Sequence, residues 1–308
     1  MKKHKDLLSL FDLSSDDIRS IIVRAREYKK NRLSGEQKIF ANKTGVLIFE
    51  KPSLRTRVSF DVAMHQLGGH SIYISRNEVG LGSREAIADV ARTLSRYIDI
   101  IAARTFEHKT VEELAKYAPV PVINALTDWE HPCQALADLL TIYEKKAGLN
   151  GMTVAYIGDG NNVANSLLLA CVMVGMNFRI ASPPGYEVSA EITGLGRRLA
   201  RGSAQIRMFE LPCEAVQKAD VVYTDVWTSM GQEAEADRRR RDFAAYQVNT
   251  ELLSLAADDA ILMHPLPAHH GEEVAPGITD SPQSVVFDQA ENRLHVQKAI
   301  LARLLSKS

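Results

Sequence analysis

Short apolar runs alternate along this chain with longer stretches whose apolar positions recur every three to four residues. The short runs predict strands at 45–49, 70–74, 98–103 and 120–124, and the longer ones predict helices at 55–67, 85–97 and 109–118. Ser14 or Ser15 is placed to cap a first helix that reaches Tyr28. A long helical run covers 132–146. A second series then opens at 153–157 and continues with strands at 178–181, 205–209, 220–224 and 260–263, a helix from Glu233 to Tyr246, and a last helix at about 290–305.

Strands that alternate with helices form parallel sheets, because a parallel connection must cross a sheet face. The expected fold class is therefore α/β, with two doubly wound parallel-sheet domains and helices on both faces. The two series meet near Gly148 to Gly151, which divides the chain into 1–147 and 148–308. The helix at 290–305 can pack back onto the first domain.

The 308 residues suffice for two ordinary cores, and 45% hydrophobic with 24% charged residues fits a soluble globular chain. A formal net charge of -1 provides no basic excess for nucleic acid or a membrane surface. One basic run occurs, Arg238 to Arg241. Glu235 and Asp237 lie four residues ahead of Arg239 and Arg241, the spacing of a solvated helical face. Cys133, Cys171 and Cys213 are too scattered for a disulfide framework or a zinc pattern, which points to a reducing compartment. The longest apolar stretch, Leu167 to Met176, is too short to cross a bilayer. Asp6 and Asp12 interrupt the sequence after Lys2, Lys3 and Lys5, a poor secretory signal, so a cytoplasmic location is expected.

Ligands of open parallel sheets bind beyond the carboxyl ends of the strands. Six polar or Gly/Pro-rich segments fall there: 53–57, 104–105, 128–134, 158–162, 225–231 and 264–267. Ser53-Leu54-Arg55-Thr56-Arg57 supplies two guanidinium groups, two hydroxyls and the unpaired N–H groups of a helix start, which suits a phosphate-like dianion. Taken alone, Arg55-Thr56-Arg57 also fits a solvated face. Arg104 at a strand end can clamp phosphate or polarise a carbonyl. His131 and Gln134 are three apart at a helix start and can donate to one oxyanion, with Pro132 at the first helical position. A His131–Cys133 nucleophile is the competing assignment, but residues two apart on a helix do not face each other. Gly158-Asp159-Gly160-Asn161-Asn162 lacks the third glycine and the ribose-binding acid of a dinucleotide site, so it is kept only as a polar ligand contact. The 224–231 loop offers Asp225 and no base, so its ligand should present a cation or a donor.

Together these segments resemble the carbamoyltransferases, most closely the ornithine branch of that family. The resemblance runs through 49–57, 94–97, 104–106, 131–138, 158–162, 225–227 with 229–233, 264–268 with 271–273, and 288–293. It implies that 1–147 binds carbamoyl phosphate and 148–308 binds L-ornithine. Ser53, Leu54 (through its backbone), Arg55, Thr56 and Arg104 would hold the phosphate. Thr56, Arg104, His131 and Gln134 would polarise the carbonyl, Arg57 would support the motif, and Arg293 would approach carbamoyl phosphate. Asn162, Asp225, Ser229 and Met230 would bind ornithine, the carbonyl oxygen of Pro265 could accept from its amine, and Leu266 would be a further substrate-binding residue. The expected products are citrulline and phosphate, formed in arginine biosynthesis without a metal or organic cofactor. The resemblance further implies a homotrimer or a multiple of trimers, and a cis bond at Leu266-Pro267. Nucleic acid and membrane are not expected partners.

Three positions depart from the family pattern: Leu54 for Thr, Gly80 for Gln, and Pro265 for the Cys of the ornithine branch. The alternatives are another acceptor (aspartate, putrescine or an N-acylornithine) or a non-catalytic binding subunit. Aspartate would call for cations in the 224–231 loop, N-acylornithine would leave Asp225 unpaired, and putrescine would leave Asn162 without a carboxylate.

Overall fold

The computed structural model describes residues 6–31, 38–229 and 231–306. The chain forms two compact units, one made of 1–140 with 291–308 and the other of 141–290. In the first unit, α1 (Ser15–Lys30) is followed by β1 (Thr44–Phe49), α2 (Leu54–Gln66), β2 (His70–Ser75), α3 (Arg76–Val79), α4 (Ile87–Leu94), β3 (Ile100–Arg104), α5 (His108–Tyr117), β4 (Val122–Leu126) and α6 (Pro132–Lys146). In the second, β5 (Thr153–Ile157), α7 (Asn162–Met173), β6 (Asn177–Ala181), α8 (Ala190–Leu199), β7 (Ile206–Phe209), α9 (Pro212–Val216), β8 (Val221–Thr224), α10 (Ala236–Asp242), α11 (Thr250–Leu253) and β9 (Ile261–Met263) precede α12 (Val286–Leu305). The chain passes from the first unit into the second along α6 and returns along α12.

Both sheets are parallel throughout. The first has the order β2-β1-β3-β4 and the second β7-β6-β5-β8-β9. Each order reverses direction once, between β1 and β3 and between β5 and β8, which is the doubly wound arrangement. The central strands read as unbroken apolar runs because helices cover both their faces. Val46, Ile48, Ile101, Ala103 and Val122 are buried against Val111 and Leu114 in the first core, and Ile157, Val222 and Leu262 against Val216 and Phe243 in the second. The edge strands β2 and β7 are only half-buried.

Local signals set several helix starts. Ser14 caps α1 with Asp17 reaching back, a reciprocal pair that satisfies two otherwise unpaired N–H groups. The apolar run Leu167 to Met176 lies largely in α7, whose residues from Val163 onward are all buried, so it is a core helix. The helix expected from Glu233 to Tyr246 is broken. A 3-10 turn at Glu233–Glu235, the two-turn α10 and a second 3-10 turn at Ala244–Tyr246 share that span. The short α3 carries too little periodicity to be seen in the sequence. Gly80 terminates α3 with φ 54°, and a Cβ there would stand 2.8 Å from the Arg84 Cβ. A tight turn therefore explains glycine at this family departure. Among the described residues no helix is long and apolar enough to cross a membrane.

Candidate active site

In the first unit the polar segments gather where the strand order reverses. Glu50 fastens the loop after β1 to the loop after β3: its N–H donates to the Arg104 carbonyl at 2.8 Å, and its carboxylate accepts from Phe106 N–H at 2.9 Å. Ser53 is the N-cap of α2 and its hydroxyl accepts from Thr56 N–H at 3.3 Å. This helix start presents backbone donors and the positive end of the dipole. Leu54, the first residue of α2, is 75% exposed. Arg57 turns away and lays its guanidinium on the Tyr73 ring, 3.8 Å from the centroid.

Arg104 ends β3 and is buried, with its Nε lacking any hydrogen-bond partner. Burial, then Arg293 and Arg55, bring its pKa down to about 10. Burial also lowers the Arg55 pKa. Arg293, from α12, donates through Nη1 to Gln134 Oε1 at 2.6 Å and through Nη2 to Thr56 Oγ1 at 3.0 Å. Gln134 in turn donates to Asp138 at 2.8 Å. Among the described residues neither Arg55 nor Arg104 has a carboxylate partner. Three guanidinium groups repelling one another in a partly dry site favour an incoming dianion.

His131 precedes α6 and is buried. Burial first, then Arg293 and Arg104, hold its pKa well below the usual 6.5, so the ring is neutral and donates without carrying charge. Its neighbour Glu130, also buried, accepts from the Ser9 hydroxyl and from Leu10 N–H, which anchors the segment. The Cys133 thiol faces the Asn124 carbonyl at 3.6 Å, and burial pushes its pKa up to about 12. No thiolate forms there near neutrality, which disposes of the His131–Cys133 nucleophile.

In the second unit the reversal lies between β5 and β8, and the loops after those strands meet. Asn161 is the N-cap of α7. Its Oδ1 accepts from Val163 N–H at 2.9 Å and Ala164 N–H at 3.1 Å, and its Nδ2 donates to Asp225 Oδ2 at 2.9 Å. Asp225 is buried, and burial is the largest influence raising its pKa, against His264 and Asn161. Asn162, expected in the site, is the first residue of α7 and half-buried. Ser229 is half-buried and donates its N–H to Gln232 Oε1 at 3.0 Å. Met230, expected beside it, lies outside the described residues. Gly160 serves packing: a Cβ there would stand 2.3 Å from Val188 N.

The 264–267 turn follows β9. His264 is fully buried; its Nδ1 accepts from Leu266 N–H at 2.9 Å, so the proton sits on Nε2, 3.2 Å from Glu273 Oε1. This holds the backbone of Pro265 and Leu266, both half-buried, and the Leu266-Pro267 bond is cis. Glu273 makes a second contact, accepting from His269 N–H at 2.6 Å.

The basic run Arg238 to Arg241 corrects an expectation. It is not wholly a solvated face, because Arg239 is buried and donates through Nη1 to Asp159 at 3.0 Å and to the Trp227 carbonyl at 2.8 Å. Burial first raises the Asp159 pKa to about 6, and Arg239 opposes it. Asp159 and Asn161 lie in the loop that the sequence marks as a polar ligand contact without singling them out, and Arg239 is the member of the network that sequence reasoning missed. The N-cap preference for Asn after Gly-Asp-Gly marks Asn161, whereas nothing in the sequence separates Arg239 from its three neighbours. One further cluster, His269, Glu272 and Glu273, has ligating atoms within 4.8 Å of one another among the described residues, but Arg240 already donates to Glu272 at 2.9 Å.

Residues 5–144 match the family model described as aspartate/ornithine carbamoyltransferase, carbamoyl-P binding domain, and residues 150–304 match its Asp/Orn binding domain. The chain belongs to the aspartate/ornithine carbamoyltransferase family. It is 54% identical over 304 residues to the ornithine carbamoyltransferase of Bacillus subtilis, covering 98% of this chain and 94% of that one. It is 50% identical over 303 residues to a Pyrococcus furiosus relative named ornithine carbamoyltransferase, anabolic, covering 98% and 96% of the two. The solved structure of the ornithine carbamoyltransferase from Pyrococcus furiosus superposes with a TM-score of 0.95 at 50% identity, covering 98% of this chain and 97% of that one.

Proposed function

We propose that this chain is an enzyme that transfers the carbamoyl group of carbamoyl phosphate to the δ-amine of L-ornithine, giving L-citrulline and phosphate in arginine biosynthesis. The observation that carries it is the cluster of Arg55, Arg104 and Arg293 at the start of α2, with Arg104 Nε buried and unpaired. In this proposal Ser53, Arg55, Thr56, Arg104 and the Leu54 amide hold the phosphate. Thr56, Arg104, His131 and Gln134 donate to the carbonyl oxygen, and Arg293 orients Thr56 and Gln134. The neutral δ-amine attacks the carbamoyl carbon, charge grows on the carbonyl oxygen, and the carbon–oxygen bond to phosphorus-bound oxygen breaks. Donors fixed before the reaction stabilise that oxyanion most, since they need no reorganisation. The amine proton leaves with a phosphate oxygen. An alkyl ammonium has a pKa of about 10.4, so the site must select or create the uncharged amine. The carbonyls of Pro265 and Leu266 accept from it, a role that survives the loss of the cysteine thiol.

Asp225 is assigned to the α-ammonium, with Asn162, Ser229 and Met230 completing the ornithine contacts. Asparate as acceptor would need a cation here. Arg239 is buried beside these loops, and its ion pair with Asp159 at 3.0 Å already engages it. That favours ornithine over aspartate. Assembly as a homotrimer and a cytoplasmic location belong to the same proposal. The test is citrulline formation from carbamoyl phosphate and ornithine, with aspartate, putrescine and N-acetylornithine run in parallel. Turnover of ornithine alone or far above the others is expected. Preference for another amine, or no turnover from pH 6 to 10, would overturn the assignment; the pH range brackets the amine's approach to its pKa of about 10.4.

A further inference from the structure

Arg239 stands apart from the basic run that contains it. Arg238 and Arg240 keep more than half of their side chains exposed and pair with acids at the surface. Arg239 is buried, and its guanidinium lies over the Tyr186 ring, 4.9 Å from the centroid, beside Phe243 at 6.0 Å. Trp227 stacks on the same Phe243, with centroids 6.0 Å apart. One nitrogen, Nη1, reaches both Asp159 in the loop after β5 and the Trp227 carbonyl in the loop after β8. Asp159 is two residues before Asn161, and Trp227 is two residues after Asp225. Asn161 donates to Asp225 at 2.9 Å. The contacts therefore close a ring that runs Arg239, Asp159, Asn161, Asp225, Trp227 and back to Arg239. Arg239 thus ties the loop that carries Asn161 to the loop that carries Asp225, and a shift of either loop against the other strains the Asn161–Asp225 bond or a buried charge-assisted bond of Arg239.

We propose that Arg239 is a positioning residue for the second substrate, fixing the Asp225 carboxylate where it receives the ornithine α-ammonium. The inference rests on the assignment of ornithine to Asp225 made above. It predicts a loss confined to ornithine, because fixing an acceptor in advance raises affinity for the group it accepts.

The test compares steady-state kinetics of the full chain with those of Arg239→Met, Arg239→Lys, Asp159→Asn and, as a surface control, Arg238→Ala. In Arg239→Met the ornithine KM should rise at least tenfold, while kcat and the carbamoyl phosphate KM stay within threefold. Arg239→Lys, which keeps the charge, should recover part of that loss, and Arg238→Ala should match the parent. An ornithine KM within twofold of the parent in a folded Arg239→Met, or an equal rise in both KM values, overturns the proposal. Should Arg239→Met fail to fold by circular dichroism, Asp159→Asn decides: a rise of at least threefold in ornithine KM alone supports the ring, and no change overturns it. A parent enzyme that makes no citrulline would overturn the substrate assignment itself, whereas normal turnover with an indifferent Arg239→Met overturns only this inference.

Discussion

Replacing Asp225 with Asn removes one charge while leaving an oxygen for the Asn161 donor. In the present structure Asp225 is buried and accepts from Asn161 at 2.9 Å. Its desolvation is incompletely offset, since burial is the largest influence on its pKa and the net shift is upward. A bound ammonium would complete the offset. Truncating one partner of a buried, hydrogen-bonded charge pair costs about 2–5 kcal/mol. At about 1.4 kcal/mol per factor of ten, that is roughly a 30-fold to several-thousand-fold weakening. The lower end is the better expectation, because asparagine keeps the neutral hydrogen bond. The assay is citrulline formation at saturating carbamoyl phosphate with ornithine varied. Asp225→Asn should raise the ornithine KM at least about 30-fold and leave the carbamoyl phosphate KM near that of the parent. An ornithine KM within threefold of the parent, in a variant that melts like it, would refute the pairing.

Three further outcomes follow from individual sites. His131 is held neutral by burial, so the unfolded chain binds its proton first as pH falls below about 6.5; stability present above that value should be lost on acidification, and His131→Gln should flatten the fall of urea-unfolding free energy with pH below about 6.5, whereas an unchanged slope would contradict the burial of a neutral ring. Cys133→Ala should retain citrulline synthesis within a few-fold, since the buried thiol is no nucleophile, and loss of activity in a folded variant would restore the His–Cys alternative. Gly160→Ala drives a Cβ to 2.3 Å from Val188 N and should lower the melting temperature, with a cost of about 1–3 kcal/mol, and raise the ornithine KM.

The sequence made the architecture legible because parallel strands covered on both faces leave unbroken apolar runs, as 46–49 and 153–157 do. The placement of polar segments after strands followed from the same pattern, and Ser53 through Arg57 stood out because a helix start and two guanidiniums coincide. What the sequence hid depends on three-dimensional closure. Arg239 has the surface spacing of its neighbours and indeed pairs with Glu235 at 3.2 Å, yet the break of the expected helix into α10 and two 3-10 turns accompanies a buried guanidinium. Asn161 and Asn162 differ by one position, and only the capping geometry shows that Asn161 holds Asp225. Arg293 was reachable only through family resemblance, because its partners Thr56 and Gln134 lie more than 150 residues away in sequence.

In the proposed function the start of α2, with Arg55, Arg104 and Arg293, receives a dianion. The decisive measurement is isothermal titration of carbamoyl phosphate into the chain and into Arg104→Met, in the absence of ornithine. One saturable site per chain is expected, weakened at least about 30-fold in Arg104→Met, the lower bound for losing a buried charge-assisted contact, while the unliganded variant melts no lower than its parent because one of three mutually repelling cations is gone. Equal affinity in the two proteins would contradict it.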